Sequence, residues 1–153
     1  MFHALIVMTP SRRCEHLVSK ALAAVEAAEE GRVTLVWLVD HDRREHLREC
    51  LENRGFVAAG PARDMDRLMV ETSQTEGQHR LRELKAEAVG RGLAVETEVL
   101  NGPLEQSILA LCERLEPDQV YLPVRNVSPF SYWFGLRRLK RLHRRLGDAL
   151  ITR

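Results

Sequence analysis

The sequence predicts an α/β domain: a single open, mainly parallel five-stranded sheet with helices on both faces. Three observations carry that prediction. Two continuous apolar runs, Ala4–Met8 (ALIVM) and Val33–Val39 (VTLVWLV), have the length of strands covered on both faces. Segments of helical spacing alternate with strand-like segments along the chain, an order that calls for right-handed crossovers and parallel pairing. The 153 residues show no internal repeat, low-complexity tract or second domain, so one domain, 1–153, holds every element.

Taken in order, the first strand ends where Thr9-Pro10-Ser11 interrupts it. Ser11 caps a helix expected from about Arg12 to Glu30, with Leu17, Ala21, Ala24 and Ala28 on one face and Gly31 as its left-handed stop. The second strand closes at Asp40. HDRREHLRECLENRG places Leu47, Cys50 and Leu51 on one side, so a short surface helix is expected to end near Gly55. A long helix from Ala62 to Val89 carries Met65, Leu68, Met69, Thr72, Leu81, Leu84 and Ala88, with Gly77 as a candidate point for a break or kink.

Leu93–Leu100 alternates Val95, Thr97 and Val99 with Glu96 and Glu98, as a strand with one less-covered face does. Asn101-Gly102-Pro103 turns the chain, and Pro103 suits the first position of a helix whose Leu104, Ile108, Leu111 and Leu115 keep register. A fourth strand, Val120–Val124, leads into a turn rich in aromatics and Ser. A basic helix from about Phe134 to Leu146 and a short terminal strand, Ala149–Thr152, complete a Rossmann-like order.

Composition narrows the function classes. Apolar residues at 44 % and charged residues at 29 % describe a folded domain rather than a disordered one. A net charge of +1 exerts no global pull on nucleic acid or membrane, so any basic footprint is local. Cys14, Cys50 and Cys112 have no paired spacing, and no apolar stretch is long enough for export or spanning. The expectation is a cytoplasmic protein with reduced thiols and no integral membrane segment.

VTLVWLVD, followed by VETEVLNGPLEQSILALCERLEPDQVYLPV, resembles the second strand and the third-strand-to-fourth-strand unit of the universal stress protein family. The resemblance extends over nearly the whole chain in element order and length. It implies the universal-stress-protein-like sheet, a role in stress response, and a homodimer. In members that bind ATP it also implies an Asp after strand one and a Gly-x2-Gly-x9-Gly-Ser/Thr run after strand four. Such glycines let backbone approach the phosphates, and the hydroxyl and helix N-terminus hold the anion. This chain departs at each point. Thr9-Pro10-Ser11 follows strand one, and Arg125-Asn126-Val127-Ser128-Pro129-Phe130-Ser131 follows strand four, with no Gly before Gly135. Side chains and the locked φ of Pro129 obstruct a phosphate cradle. The chain is more similar to the branch without the nucleotide signature, so no cofactor is expected; ATP is the one the resemblance itself would supply.

Ligands of open α/β sheets sit outside the carboxyl ends of the strands. There, Arg125, Asn126, Ser128 and Ser131 offer a charged fork and hydroxyl donors for a small anion, and the alternative is a loop that satisfies its own backbone. Thr9, Ser11 and Asp40 stand at the same end and complete the set of ligand candidates. Phe130, Tyr132, Trp133 and Phe134 place four of the eight aromatics in five positions, either as packing or dimer contact or as a surface for a partner or membrane.

The last helix sets Leu136, Leu139, Leu142 and Leu146 against Arg137, Arg138, Lys140, Arg141, Arg144 and Arg145, with His143. That basic face is either solvated and offset by acidic helices or a contact for an anionic surface. His41 and His46, with His3 or His16, lack convincing ligand spacing, so no metal is expected. Cys14 near a helix start is the thiol with most thiolate character, and Cys112 is structural.

The function these features favour is a non-enzymatic binding or regulatory module, with an unidentified protein partner and a homodimer formed through the terminal strand. The alternative is an ATP-binding switch or weak ATPase with a modified loop after strand four.

Overall fold

The computed structural model describes residues 1–10, 15–40, 59–123 and 129–152. The elements are β1 (Phe2–Met8), α1 (Glu15–Glu26), β2 (Gly31–Asp40), α2 (Ala59–Gly90) and β3 (Ala94–Gly102), then α3 (Leu104–Leu115), β4 (Gln119–Tyr121), α4 (Pro129–Leu146), a 3-10 turn (Gly147–Ala149) and β5 (Leu150–Ile151). All five strands are parallel in the order β3-β2-β1-β4-β5. The helix expected before Gly55 lies outside the described residues.

The alternation within the apolar runs explains both halves of the core. Ala4, Ile6 and Met8 of β1 and Val33, Leu35 and Trp37 of β2 face α1 and α2, where Leu17, Ala21, Leu22, Leu81, Leu84 and Ala88 meet them. The intervening Leu5, Val7, Val36 and Leu38 face α3 and α4 and pack with Leu104, Ile108, Leu111 and Leu142. Both faces of the central strands are therefore dry, which is why they read as unbroken apolar runs. β3 lies at one edge, with Val95 and Val99 partly covered and Glu96 and Thr97 exposed.

Several expectations are corrected. α1 ends at Glu26, and Gly31 opens β2 without a positive φ. The buried stripe of α1 is Leu17, Val18, Ala21, Leu22 and Val25, which leaves Ala24 and Ala28 half-buried. α2 runs unbroken through Gly77 because that glycine is the point of closest approach to the sheet. A Cβ there would collide with Cγ, Cδ1 and Nε1 of the Trp37 ring. Leu68 and Met69, read with the apolar set of this helix, are 63 % and 44 % exposed, and Leu68 lies on the side opposite the buried Leu81, Leu84 and Ala88.

Pro103 is the N-cap of α3 rather than its first helical residue. α4 begins at Pro129, five residues before the expected start at Phe134. Proline's missing N–H costs nothing in a first turn, where no carbonyl would receive it. β4 is shorter than its apolar run, but the Leu122 N–H still donates to the Ile151 carbonyl at 2.9 Å and prolongs the pairing with β5. Gly147 turns the chain out of α4 at φ +56°, a conformation that favours glycine.

Candidate functional site

The strand order reverses between β1 and β4: the chain winds outward to β2 and β3, then returns to add β4 and β5 on the other side of β1. The crevice above such a reversal, at the carboxyl ends of the strands, is where open α/β sheets hold ligands. Its described floor comes from the ends of the two adjacent strands. Met8 and Thr9 follow from β1, Leu122 and Pro123 follow β4, and all four are buried. Thr9 is 1 % exposed and makes polar contact within the fold.

Asp40 closes β2 at the same end of the sheet. Ser131 and Trp133 lie within the first turns of α4 rather than in a turn preceding it, a correction that follows from the helix start at Pro129. Ser11, Arg125, Asn126 and Ser128 lie outside the described residues, as do Cys14, Cys50, His41 and His46. The structure thus brings Thr9, Asp40 and the N-terminus of α4 to one end of the sheet.

The remaining candidates lie on α4. Arg137, Lys140, Arg141, His143, Arg144 and Arg145 are exposed, and Arg138 lies in the same helix. Leu142 is buried, and Leu139 and Leu146 pack against the core. Glu105 of α3 reaches Arg141 Nε at 3.5 Å. The amphipathic division read from the sequence is present.

A polar cluster that sequence reasoning did not assemble lies at the opposite, amino end of the sheet. His3 is 3 % exposed; its Nδ1 lies 3.2 Å from the Leu115 carbonyl and its Nε2 2.9 Å from Thr34 Oγ1. A carbonyl only accepts, so Nδ1 carries the proton and Nε2 accepts from the Thr34 hydroxyl. Asp118 and His3 are tied twice: the His3 N–H donates to Asp118 Oδ2 at 2.7 Å, and the Asp118 N–H donates to the His3 carbonyl at 2.9 Å. Burial, followed by the charge of Arg32, lowers the His3 pKa from its ordinary value. These bonds join β1, β2 and the residues before β4, so the cluster fixes strand register. Its signal in the sequence was faint: a lone His at a strand start and a lone Asp before another strand.

His16 is exposed on α1, whereas His3 is buried. Among the described residues no group of three or more His, Cys, Asp or Glu is arranged to hold a metal. Cys112 is a half-buried free thiol whose pKa is raised by burial and then by Glu113. No helix among the described residues is long and apolar enough to cross a membrane.

No protein-family model matches the sequence, nor does any curated protein. Solved structures do match. A protein of the universal stress protein family from Burkholderia pseudomallei is similar at a TM-score of 0.67 and 15 % identity, with 99 % of this chain and 94 % of that chain covered. The hypothetical protein MJ0577 is similar at a TM-score of 0.68 and 11 % identity, with the same coverage of 99 % and 94 %. A universal stress protein in complex with cAMP is similar at 0.56 and 12 % identity, covering 100 % of this chain and 98 % of that one. Likeness over whole chains at such low identity establishes the architecture: this chain has the universal stress protein fold.

Proposed function

We propose that the protein is a non-enzymatic binding or regulatory module of the universal-stress-protein type, that it works as a homodimer, and that it does not hold ATP in the manner of the family's nucleotide signature. The observation that carries this reading is the start of α4 at Pro129. Only residues 124–128 separate the buried Pro123 from the helix, a connection too short for a Gly-x2-Gly-x9-Gly-Ser/Thr run. The helix itself occupies the positions where such a run would continue, and it opens with Pro, Ser and aromatic residues before its one glycine, Gly135. A triphosphate cradle needs backbone free to approach the anion, and helical backbone beyond the first turn has its N–H groups already bonded.

β5 supports the dimer. It is two residues long and outermost in the sheet, and among the described residues nothing pairs with its far side. An open edge of that kind is a template for a second copy. Light scattering of the purified chain is expected to give twice the monomer mass, and a strict monomer at high concentration would reject the dimer.

One comparison favours a second reading, a nucleotide-responsive switch, because a protein of this fold is known in complex with cAMP. A cyclic monophosphate carries one phosphate and requires no extended cradle. Thermal unfolding with cAMP and with MgATP separates the readings: a shift with cAMP alone supports the switch, and a shift with neither supports the module without nucleotide.

A further inference from the structure

The near-neutral total conceals a strong segregation of charge. Between Gln119 and Gly147 the chain has seven Arg or Lys and no Asp or Glu, which leaves 16 basic against 22 acidic residues elsewhere. Six of the seven lie on α4. Arg137, Lys140 and Arg144 follow one another at spacings of three and four, with Arg141 beside Lys140, and all four are exposed, so they form one row along the helix. At 1.5 Å per residue that row is about 10 Å long. Among the described residues, only Arg141 of the row is paired, with Glu105.

We propose that the exposed face of α4 docks the protein on anionic lipid, as a peripheral electrostatic contact. The proposal deepens the binding-module reading by naming the surface it engages. The helix lies lengthwise on the sheet through Leu139, Leu142 and Leu146, beside α3, to which Arg141 and Glu105 tie it. A helix laid flat on a sheet presents a broad face suited to a plane, whereas a duplex groove takes a projecting helix. The same helix opens with the sequence Pro-Phe-Ser-Tyr-Trp-Phe, and aromatic residues joined to a basic stretch are an interfacial composition. The apolar stripe stays in the core, so attachment rests on charge and is reversible. The acidic remainder of the molecule is repelled by the same surface, which orients α4 toward it.

The test is co-sedimentation of the full chain with phosphatidylcholine vesicles containing about 30 % phosphatidylserine, a composition that gives a negative surface. Binding is expected at low salt and lost near 1 M salt, where the Debye length is about 3 Å. Each cation at such a surface strengthens binding about five-fold, so the triple variant Arg137→Gln, Lys140→Gln, Arg144→Gln is expected to bind about 100-fold more weakly. The control Arg82→Gln, Lys85→Gln, on the exposed side of α2, is expected to bind as the parent does. Circular dichroism confirms that the variants fold. No binding to the anionic vesicles, equal binding to pure phosphatidylcholine, an unaffected triple variant, or capture of duplex nucleic acid in place of vesicles would each overturn the proposal. Oligomeric state and nucleotide response are measured separately, so failure here is distinguishable from failure of the module reading.

Discussion

Replacing Gly77 by Ala sets two physical effects against each other at one atom. Intrinsic helix propensity favours Ala by about 1 kcal/mol, and Gly77 sits in the interior of a helix that runs from Ala59 to Gly90. Packing opposes it. The added Cβ would collide with three atoms of the Trp37 ring, which is fully buried in the core beneath α2. Overpacking of a close-packed core costs about 1–3 kcal/mol, and a rigid indole against β-sheet backbone offers little room to yield. The upper end of that range, less the propensity gain, gives a net loss of about 2 kcal/mol. In a domain of this size that corresponds to a fall in Tm of about 4–8 °C. Urea unfolding of the parent and Gly77→Ala measures it directly. In a Trp37→Leu background the same change is expected to cost less, because the colliding ring is gone. A midpoint that rises with Gly77→Ala in the parent would show that propensity wins and that the helix does not rest on Trp37 as described.

Other expectations follow from the core and the amino-end cluster. Burial holds the folded-state pKa of His3 below the unfolded value of about 6.5, so the unfolded chain takes up the proton first. The resulting stability is present above about pH 6.5 and is lost as pH falls toward the lowered folded-state value. Urea midpoints between pH 7.5 and 5 are expected to fall less steeply in His3→Asn than in the parent, and equal slopes would contradict the assignment. Leu142→Ala removes the buried contact of α4 and is expected to cost about 2–5 kcal/mol, whereas Lys140→Ala on the exposed side should stay within about 0.5 kcal/mol. Comparable losses from the two would place the helix in a different rotation.

The architecture was legible because it rests on patterns that physics makes unavoidable. ALIVM and VTLVWLV have no polar face, so they had to be central strands, and they are β1 and β2 with helices on either side. Boundaries and exceptions were less visible. The last helix was placed from about Phe134, yet it starts at Pro129, since proline at that position forfeits no hydrogen bond. Gly77 was read as a weakness, but its meaning depends on Trp37, forty residues away, and no local pattern reports so distant a contact. Leu68 and Met69 are apolar, but at 3.6 residues per turn Leu68 falls opposite the stripe of Leu81, Leu84 and Ala88, so apolar character alone did not tell which side it faces. For the site, the strand-end rule points to the carboxyl ends of the strands, the end at which β1 runs into Thr9 and β2 closes at Asp40. The apolar stripe of α4 was equally plain, because alternating Leu and Arg states which side faces the core. The His3 cluster was hidden, since its members are 31 to 115 residues apart in the chain.

Isothermal titration with MgATP tests the central claim most directly, namely that the fold is kept while the triphosphate cradle is not. A site with a dissociation constant of about 10 µM would stabilise the folded chain by about 2.7 kcal/mol at about 1 mM ligand, so real binding could not be missed. No saturable heat at that concentration, with no rise in Tm, is the predicted result. A stoichiometric isotherm accompanied by a rise of several degrees would contradict it.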